Sequence, residues 1–255
     1  MSSAEQWDAP PTDLTLPPGE IHVWRGKLIS HPTRRELLLG MLSEDERSRA
    51  ERFRFARDSW RFVTARGLLR ILLARYLELT PQQICFGYGP QGKPFLADHG
   101  EDNALCFNLS HSGTLGLFAF ARGRQLGVDL ERVDSDVAVD RIPEHFLSPQ
   151  ECAALRSLPE RLRLEAFLHC WCRKEAFLKA KGGGLSVPLD KFAVSLAPGQ
   201  PAELLWTAEP CDDRRWSLHA LTPAPGYIGA LAAEGESYEL RTWQCPDHLK
   251  LHVAA

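Results

Sequence analysis

A chain of 255 residues with 44% hydrophobic side chains can bury one large core or two modest ones, which excludes a disordered or fibrous protein. Its formal charge of −3 gives no general attraction to nucleic acid or to an anionic membrane, and its longest apolar runs, such as LGLFAFA at 115–121, are far too short to span a bilayer. No basic segment followed by an apolar one opens the sequence, and its seven cysteines contain no C-x-x-C spacing, the nearest pair being Cys170 and Cys172. A cytoplasmic protein with reduced, mostly buried thiols is expected.

In chain order, residues 1–19 are rich in proline and small polar residues and read as a loose extended arm. EIHVWRGKL at 20–28 alternates like a strand. Ser43, three residues before Glu46, makes a capping box that opens a helix. A longer helix is predicted from about Asp58 to Leu79, where Leu and Ile recur at helical spacing until Thr80-Pro81 stops them. Short strands follow at ICFGY (84–88), KPFL (93–96), LCFNLS (105–110) and TLGLFAFA (114–121), and RGRQ turns the chain into LGVDLERV at 126–133.

The second half repeats this order. Ser148 stands three residues before Glu151, with Pro149 at the first helical position. A helix is predicted from about Glu160 to Lys181, ended by Gly182, Gly183 and Gly184. Strands come next at FAVSL (192–196), AELLW (202–206), WSLHAL (216–221) and YIGALAA (227–233). A tryptophan, Trp60 or Trp171, marks each long helix. The expected class is α+β, a pseudo-dimer of two similar halves at 20–124 and 125–255, each a long helix packed on a small antiparallel sheet. Two ordinary modules that merely share this order are the alternative. The seam between the halves is the expected ligand site.

LGVDLERV poses a chemical problem. In a strand Asp129 and Glu131 point to one face about 6.6 Å apart, so they repel unless something positive lies between them. Glu175, in WCRKEAFLKAKGGG, sits on a helix apolar around much of its circumference, where an unpaired glutamate is costly. Either it forms an ordinary surface pair with Lys179 one turn on, or it completes a three-carboxylate set with Asp129 and Glu131. Such a set suits Mg²⁺, and Mn²⁺ fits the same oxygens.

A metal held by few protein ligands implies a phosphate-bearing substrate, and cationic groups for one are present. Nine arginines and only two acids lie between Arg47 and Arg75. Arg54, Arg57 and Arg61 are spaced for one helical face, which reads as a solvated basic surface or as an anion-binding wall. GPQGKP offers Gly92, where a ligand can approach the backbone, and Lys93 as a point charge. FNLSHSG at 107–113 places Ser110 and His111 at a strand end. Neighbouring Ser and His do not make a triad, and no G-x-S-x-G elbow surrounds them. His111 either finishes the strand structurally or donates to a phosphate.

These segments together, GKP at 92–94, FNLSHSG at 107–113, GVDLE at 127–131 and WCRKEAFLKAKGGGLSVPLDKFAV at 171–194, resemble the 4′-phosphopantetheinyl transferases, specifically the monomeric surfactin-synthetase-activator type. GYIGALAA at 226–233 is similar to the family's closing strand. The resemblance implies a pseudo-dimer with coenzyme A in the cleft between the halves. It also implies transfer of the phosphopantetheine arm to a serine of an apo acyl or peptidyl carrier protein, releasing adenosine 3′,5′-bisphosphate.

By the same resemblance, Asp129, Glu131 and Glu175 are the Mg²⁺ ligands, and Glu175, Lys174 and Lys179 serve catalysis. Arg49, Arg61, Gly92, Lys93, Pro94, Ser110, His111, Asp129, Lys174 and Lys179 contact coenzyme A. Relatives often carry lysines near Glu46–Arg49 as phosphate contacts, whereas this chain reads Glu46 and Arg49; Arg49 can substitute for one of them. Apolar residues near Pro143–Leu147 are expected to meet the carrier. A nucleotide pyrophosphate hydrolase using the same acids, and a non-catalytic scaffold for coenzyme A or carriers, are the competing readings.

Overall fold

The computed structural model describes residues 6–29, 31–97, 104–133, 146–182, 188–208 and 216–246. The chain runs β1 (Glu20–Lys27), α1 (Pro32–Leu39), α2 (Glu44–Glu51), α3 (Ala56–Leu77), β2 (Phe86–Tyr88), β3 (Pro94–Leu96), β4 (Leu105–Ser112), β5 (Leu115–Arg122) and β6 (Leu126–Arg132). It continues with α4 (Pro149–Ser157), α5 (Glu160–Lys181), β7 (Phe192–Val194), β8 (Leu204–Thr207), β9 (Trp216–Leu221), β10 (Tyr227–Glu234) and β11 (Glu239–Gln244). The class is α+β, as expected. Two main sheets, ordered β11-β1-β5-β4 and β6-β10-β9, are accompanied by the hairpins β2-β3 and β7-β8.

Each sheet is covered by one long helix. Leu68, Leu69, Leu72 and Leu73 of α3 pack on Trp24, Phe118 and Phe120. Cys172, Ala176 and Ala180 of α5 pack on Ala230 and Ala232, with Phe177 against Phe192. A third cluster, built from Val23, Leu117, Ala119, Val128 and Leu231, joins the two sheets.

The common plan goes beyond element order. In each half a capping-box glutamate is buried to 1% exposure, Glu46 after Ser43 and Glu151 after Ser148. Each accepts a hydrogen bond from its cap residue's own N–H, at 3.0 and 2.7 Å. Each then pairs with a cation on the long helix: Glu46 with Arg70 at 2.7 Å and Arg66 at 3.0 Å, Glu151 with Lys174 at 2.6 Å.

The cations also donate to the segment that leaves the helix. Arg70 reaches the carbonyls of Pro81 and Ile84, and Lys174 those of Leu189 and Phe192. Both face the aromatic ring that opens the next hairpin, Phe86 or Phe192. A network of this detail, recurring at the same places along two stretches of chain, identifies a repeated unit; coincidence of two ordinary modules does not account for it.

Several expectations are corrected. Helix α3 begins at Ala56, so Arg54 precedes it and shares no helical face with Arg57 and Arg61. The arm is tied down from residue 6 onward: Trp7 Nε1 donates to Thr222 O, Asp8 bridges to Trp243, and Leu16 is buried. Helix α1, though flagged by Pro32 and Gly40, was not anticipated. Most consequentially, β11 leaves the second half and pairs in parallel with β1, so residues 239–244 belong to the first half's sheet. The six described cysteines are free thiols, three buried and Cys85 exposed; among the described residues no helix is long and apolar enough to cross a membrane.

Candidate active site

Strands β4 and β6 lie side by side at the seam, joined by side chains. Asn108, Ser110 and Ser112 alternate along β4 and so face one way. Asn108 Oδ1 accepts the Val128 N–H at 2.9 Å, Ser110 Oγ donates to Asp129 Oδ1 at 2.9 Å, and Ser112 Oγ donates to Glu131 Oε2 at 3.0 Å. The positive partner that the opening pair of acids demands comes from α5. Lys179 Nζ stands 2.5 Å from Asp129 Oδ1 and 3.1 Å from Ser110 Oγ.

Gly127 lets the helix come this close. A Cβ there would lie 2.2 Å from Ala176 O and 2.3 Å from Ala180 N, so α5 rests directly on the β6 backbone, two residues before Asp129. Glu175 comes off the same turn. Its carboxyl is raised above the ordinary glutamate range by burial, against the attraction of Lys179 and together with the repulsion of Asp129 and Glu131. Glu131 is raised by burial and by Asp129, and is drawn back by Ser112, Lys179 and the Trp171 side chain. Three carboxylates that sense one another and one ammonium thus sit at the seam.

They are not a preassembled cage: among the described residues no three acid, imidazole or thiol groups converge tightly enough to grip an ion. One atom is left unsatisfied, since Asp129 Oδ2 is buried and has no hydrogen-bond partner. Beneath the pair, burial and the negative charges of Asp129 and Glu131 hold the Cys172 thiol protonated.

The flanking cations divide into two groups. His111 lies near Lys179 and Arg61, and its imidazole is kept below its usual pKa by burial and then by the Lys179 charge, with Arg61 contributing less. Arg61 is partly exposed and only loosely tied to Asp58 at 3.5 Å. Arg49 is exposed on α2 and stacks on Phe62. Gly92 takes φ +78° in the β2–β3 turn, and Pro94 opens β3 opposite Tyr88. Lys93, by contrast, turns into the seam. Its ammonium donates to Leu126 O at 3.1 Å and Ala180 O at 3.2 Å, and burial lowers its pKa to about 8.

The structure does not bring Lys174 to this cluster. Its side chain is fully buried on the core side of α5 against Glu151, one residue from Glu175 but on another face of the helix. Arg66 and Arg70 leave the arginine wall for the same reason, being held by the buried Glu46. Of the stretch expected to meet a carrier, Leu147 is buried and Phe146 packs on Trp171, while 143–145, like Gly183 and Gly184, lie outside the described residues. Sequence reasoning missed Asn108, Ser112 and Tyr227, whose phenol accepts the Thr114 N–H at 3.3 Å. The alternation of polar residues along β4 was the available signal for the first two.

Comparison with known proteins agrees with this geometry. Residues 125–232 match the profile of the 4′-phosphopantetheinyl transferase superfamily, and residues 30–122 match the profile described as 4′-phosphopantetheinyl transferase, N-terminal. The 4′-phosphopantetheinyl transferase HetI of Nostoc sp. is 37% identical over 237 residues, covering 93% of this chain and 97% of its own. The 4′-phosphopantetheinyl transferase Sfp of Bacillus subtilis is 30% identical over 200 residues, covering 78% and 84%. A phosphopantetheinyl transferase of Xenopus laevis, named for L-aminoadipate-semialdehyde dehydrogenase, is 30% identical over 177 residues, covering 66% and 59%. A seam of acids backed by one lysine, in a chain matched almost end to end, places this protein among the 4′-phosphopantetheinyl transferases.

Proposed function

We propose that the seam between the halves carries out the transfer, with coenzyme A as donor and a serine of an apo acyl or peptidyl carrier protein as acceptor. The observation behind this assignment is the meeting of Asp129, Glu131, Glu175 and Lys179 at the contact of α5 with β6. Arg61, Ser110 and His111 flank it on the first half and are suited to the nucleotide phosphates, with Gly92, Pro94 and Arg49 as further coenzyme A contacts from the first half. Lys93 contributes its remaining N–H once its two carbonyl bonds are satisfied.

Asp129, Glu131 and Glu175 fit Mg²⁺, and equally Mn²⁺: all are hard oxygen donors, they repel one another, and the buried Asp129 Oδ2 has no partner. Such an ion, when bound, supplies neutralisation of the pyrophosphate and of the departing bisphosphate. In the transfer itself, the serine oxygen forms a bond to the β-phosphorus as the bond from that phosphorus to the bisphosphate oxygen breaks. Glu175, whose raised pKa suits it to accept protons nearer neutral pH, takes the serine proton. Lys179, fixed by Asp129 and Ser110, balances charge beside the reacting phosphorus. The exposed arginines Arg47, Arg49, Arg52, Arg54 and Arg57 steer an acidic carrier, so added salt lowers the association rate.

The test is the intact mass of an apo carrier incubated with the protein, coenzyme A and Mg²⁺. A gain of one phosphopantetheine group, lost with chelator and lost in Glu175→Gln, is expected. Hydrolysed coenzyme A with an unchanged carrier would favour the pyrophosphate hydrolase, and intact coenzyme A that stays bound would favour the scaffold.

A further inference from the structure

We infer that Ser112 is a positioning residue for Glu131, a clamp reaching across the seam from the first half to fix the orientation of an acid carried by the second. The hydroxyl sits between two groups of β6. It accepts the Arg132 N–H at 3.1 Å and lies 3.0 Å from Glu131 Oε2. With a lone pair committed to the N–H, its one proton goes to the carboxylate. The direction of the hydrogen bond is therefore set by the backbone.

The clamp is itself held from the second half. Ser112 ends β4, and the turn after it passes through Gly113 at φ +56° to Thr114. Thr114 N–H donates to Tyr227 Oη at 3.3 Å, and a Cβ at Gly113 would stand 2.8 Å from that same oxygen. Tyr227 pairs with Arg132 across β10 and β6, so the turn, the clamp and the acid are registered to one strand pair.

Glu131 needs such a restraint. Asp129 is fixed by Ser110 and Lys179, but Glu131 lies two residues along the same face, is partly exposed and has no cation in direct contact among the described residues, with the like charge of Asp129 beside it. Without Ser112 its carboxylate keeps the Trp171 side-chain hydrogen bond and the more distant pull of Lys179 but loses the bond that ties it to β4, so its orientation toward the other acids is less defined. Partners of this kind, hydrogen-bonded to metal-ligating groups, typically change affinity or activity by about 10- to 100-fold when removed.

This inference rests on the Mg²⁺-dependent transferase reading, and the experiment separates the two. Ser112→Ala, Ser112→Thr and wild type are compared in Mn²⁺ binding to the protein with coenzyme A, read by electron paramagnetic resonance, and in the Mg²⁺ dependence of carrier modification. Ser112→Ala is expected to weaken Mn²⁺ binding about tenfold and to raise the half-saturating Mg²⁺ by a similar factor, while KM for the carrier changes less than twofold. Ser112→Thr, which keeps the hydroxyl, is expected to return both within about threefold of wild type.

Mn²⁺ affinity and Mg²⁺ dependence within twofold of wild type in Ser112→Ala would overturn the clamp, as would a loss that Thr does not restore. Should Ser112→Ala fail to fold, Ser112→Cys, with a weaker donor of similar shape, takes its place under the same criteria. If wild type binds Mn²⁺ but modifies no carrier, the transferase reading fails while the clamp is still judged on Mn²⁺ affinity. If wild type binds no Mn²⁺ and transfers without divalent ions, the clamp fails alone.

Discussion

Lys174 and Lys179 lie five residues apart on one helix, and their surroundings give them different work. Lys179 touches an acid at the seam, whereas Lys174 is sealed against Glu151, two carbonyls and a phenylalanine ring. Removing one partner of a buried pair leaves the other charge uncompensated, at a cost of about 3–5 kcal/mol. Lys174→Met is therefore expected to lose that much unfolding free energy in urea while its folded fraction still binds coenzyme A. A variant of wild-type stability that no longer binds or turns over coenzyme A would return Lys174 to the site.

Glu131 and Glu175 predict a pH signature of the opposite kind. Both carboxyls are raised in the folded protein, so between the ordinary glutamate value of 4.5 and their raised values the native state binds more protons than the unfolded one. Stability then falls as pH rises through that window, whereas a transfer that needs ionised acids gains rate. Glu175→Gln is expected to be inactive yet at least as stable as wild type at pH 7. A marked loss of thermal stability in that variant would mean that Glu175 serves the fold.

At the scale of elements, the contact of α5 with β6 sets the proposed site, and its critical residue has no side chain. Gly127 in GVDLE was read beside its acids, yet the structure gives it a separate duty as the floor on which Ala176 and Ala180 rest. Gly127→Ala must push the helix away from the strand, with an overpacking cost of about 1–3 kcal/mol or more. It is also expected to separate Lys179 from Asp129 and so depress turnover in the protein that does fold. Gly67→Ala, where the obstacle is the Leu38 side chain between α3 and α1, is the control that should cost stability without costing turnover per folded molecule. Equal loss of turnover in both would deny Gly127 its positional role.

What was legible in the sequence follows from the range of each signal. Both capping boxes and the second long helix, Glu160–Lys181, are readable because caps and periodicity are local, and the motif spacing singles out Asp129, Glu131, Glu175 and Lys179, which the fold brings to one seam. Lys174 stands beside Glu175 in sequence, and the signal that it turns to the core instead, its partner Glu151, lies 23 positions away. Arg66 and Arg70 were swept into a basic wall for the same reason, their shared Glu46 being remote in sequence and buried in space. For Ser112, the polar alternation along β4 marks a face of that strand but does not say which strand that face will meet.

At the scale of the whole molecule, the two halves are repeated in design but are not separable. The chain finishes the second half's sheet at β10 and then sends β11 back to the far edge of the first, where six consecutive positions pair with β1 and Gln244 bonds to Arg25. At the other edge of that sheet, β4 is zipped to β6 by Asn108, Ser110 and Ser112, and Lys93 ties the β2–β3 turn to α5 and β6. The first half is thus held on both flanks by residues that follow position 125. Fragments 1–124 and 125–255 are expected not to fold when produced apart, since one lacks an edge strand and the other exposes the unzipped edge of β6 with its acids. In the intact chain, hydrogen exchange should open Leu117–Ala121 of β5 and Ala230–Ala233 of β10 with one common free energy, the signature of a single cooperative unit. Two distinct opening free energies would mean that the halves unfold independently, and the seam would then be a docking contact between domains instead of a shared core.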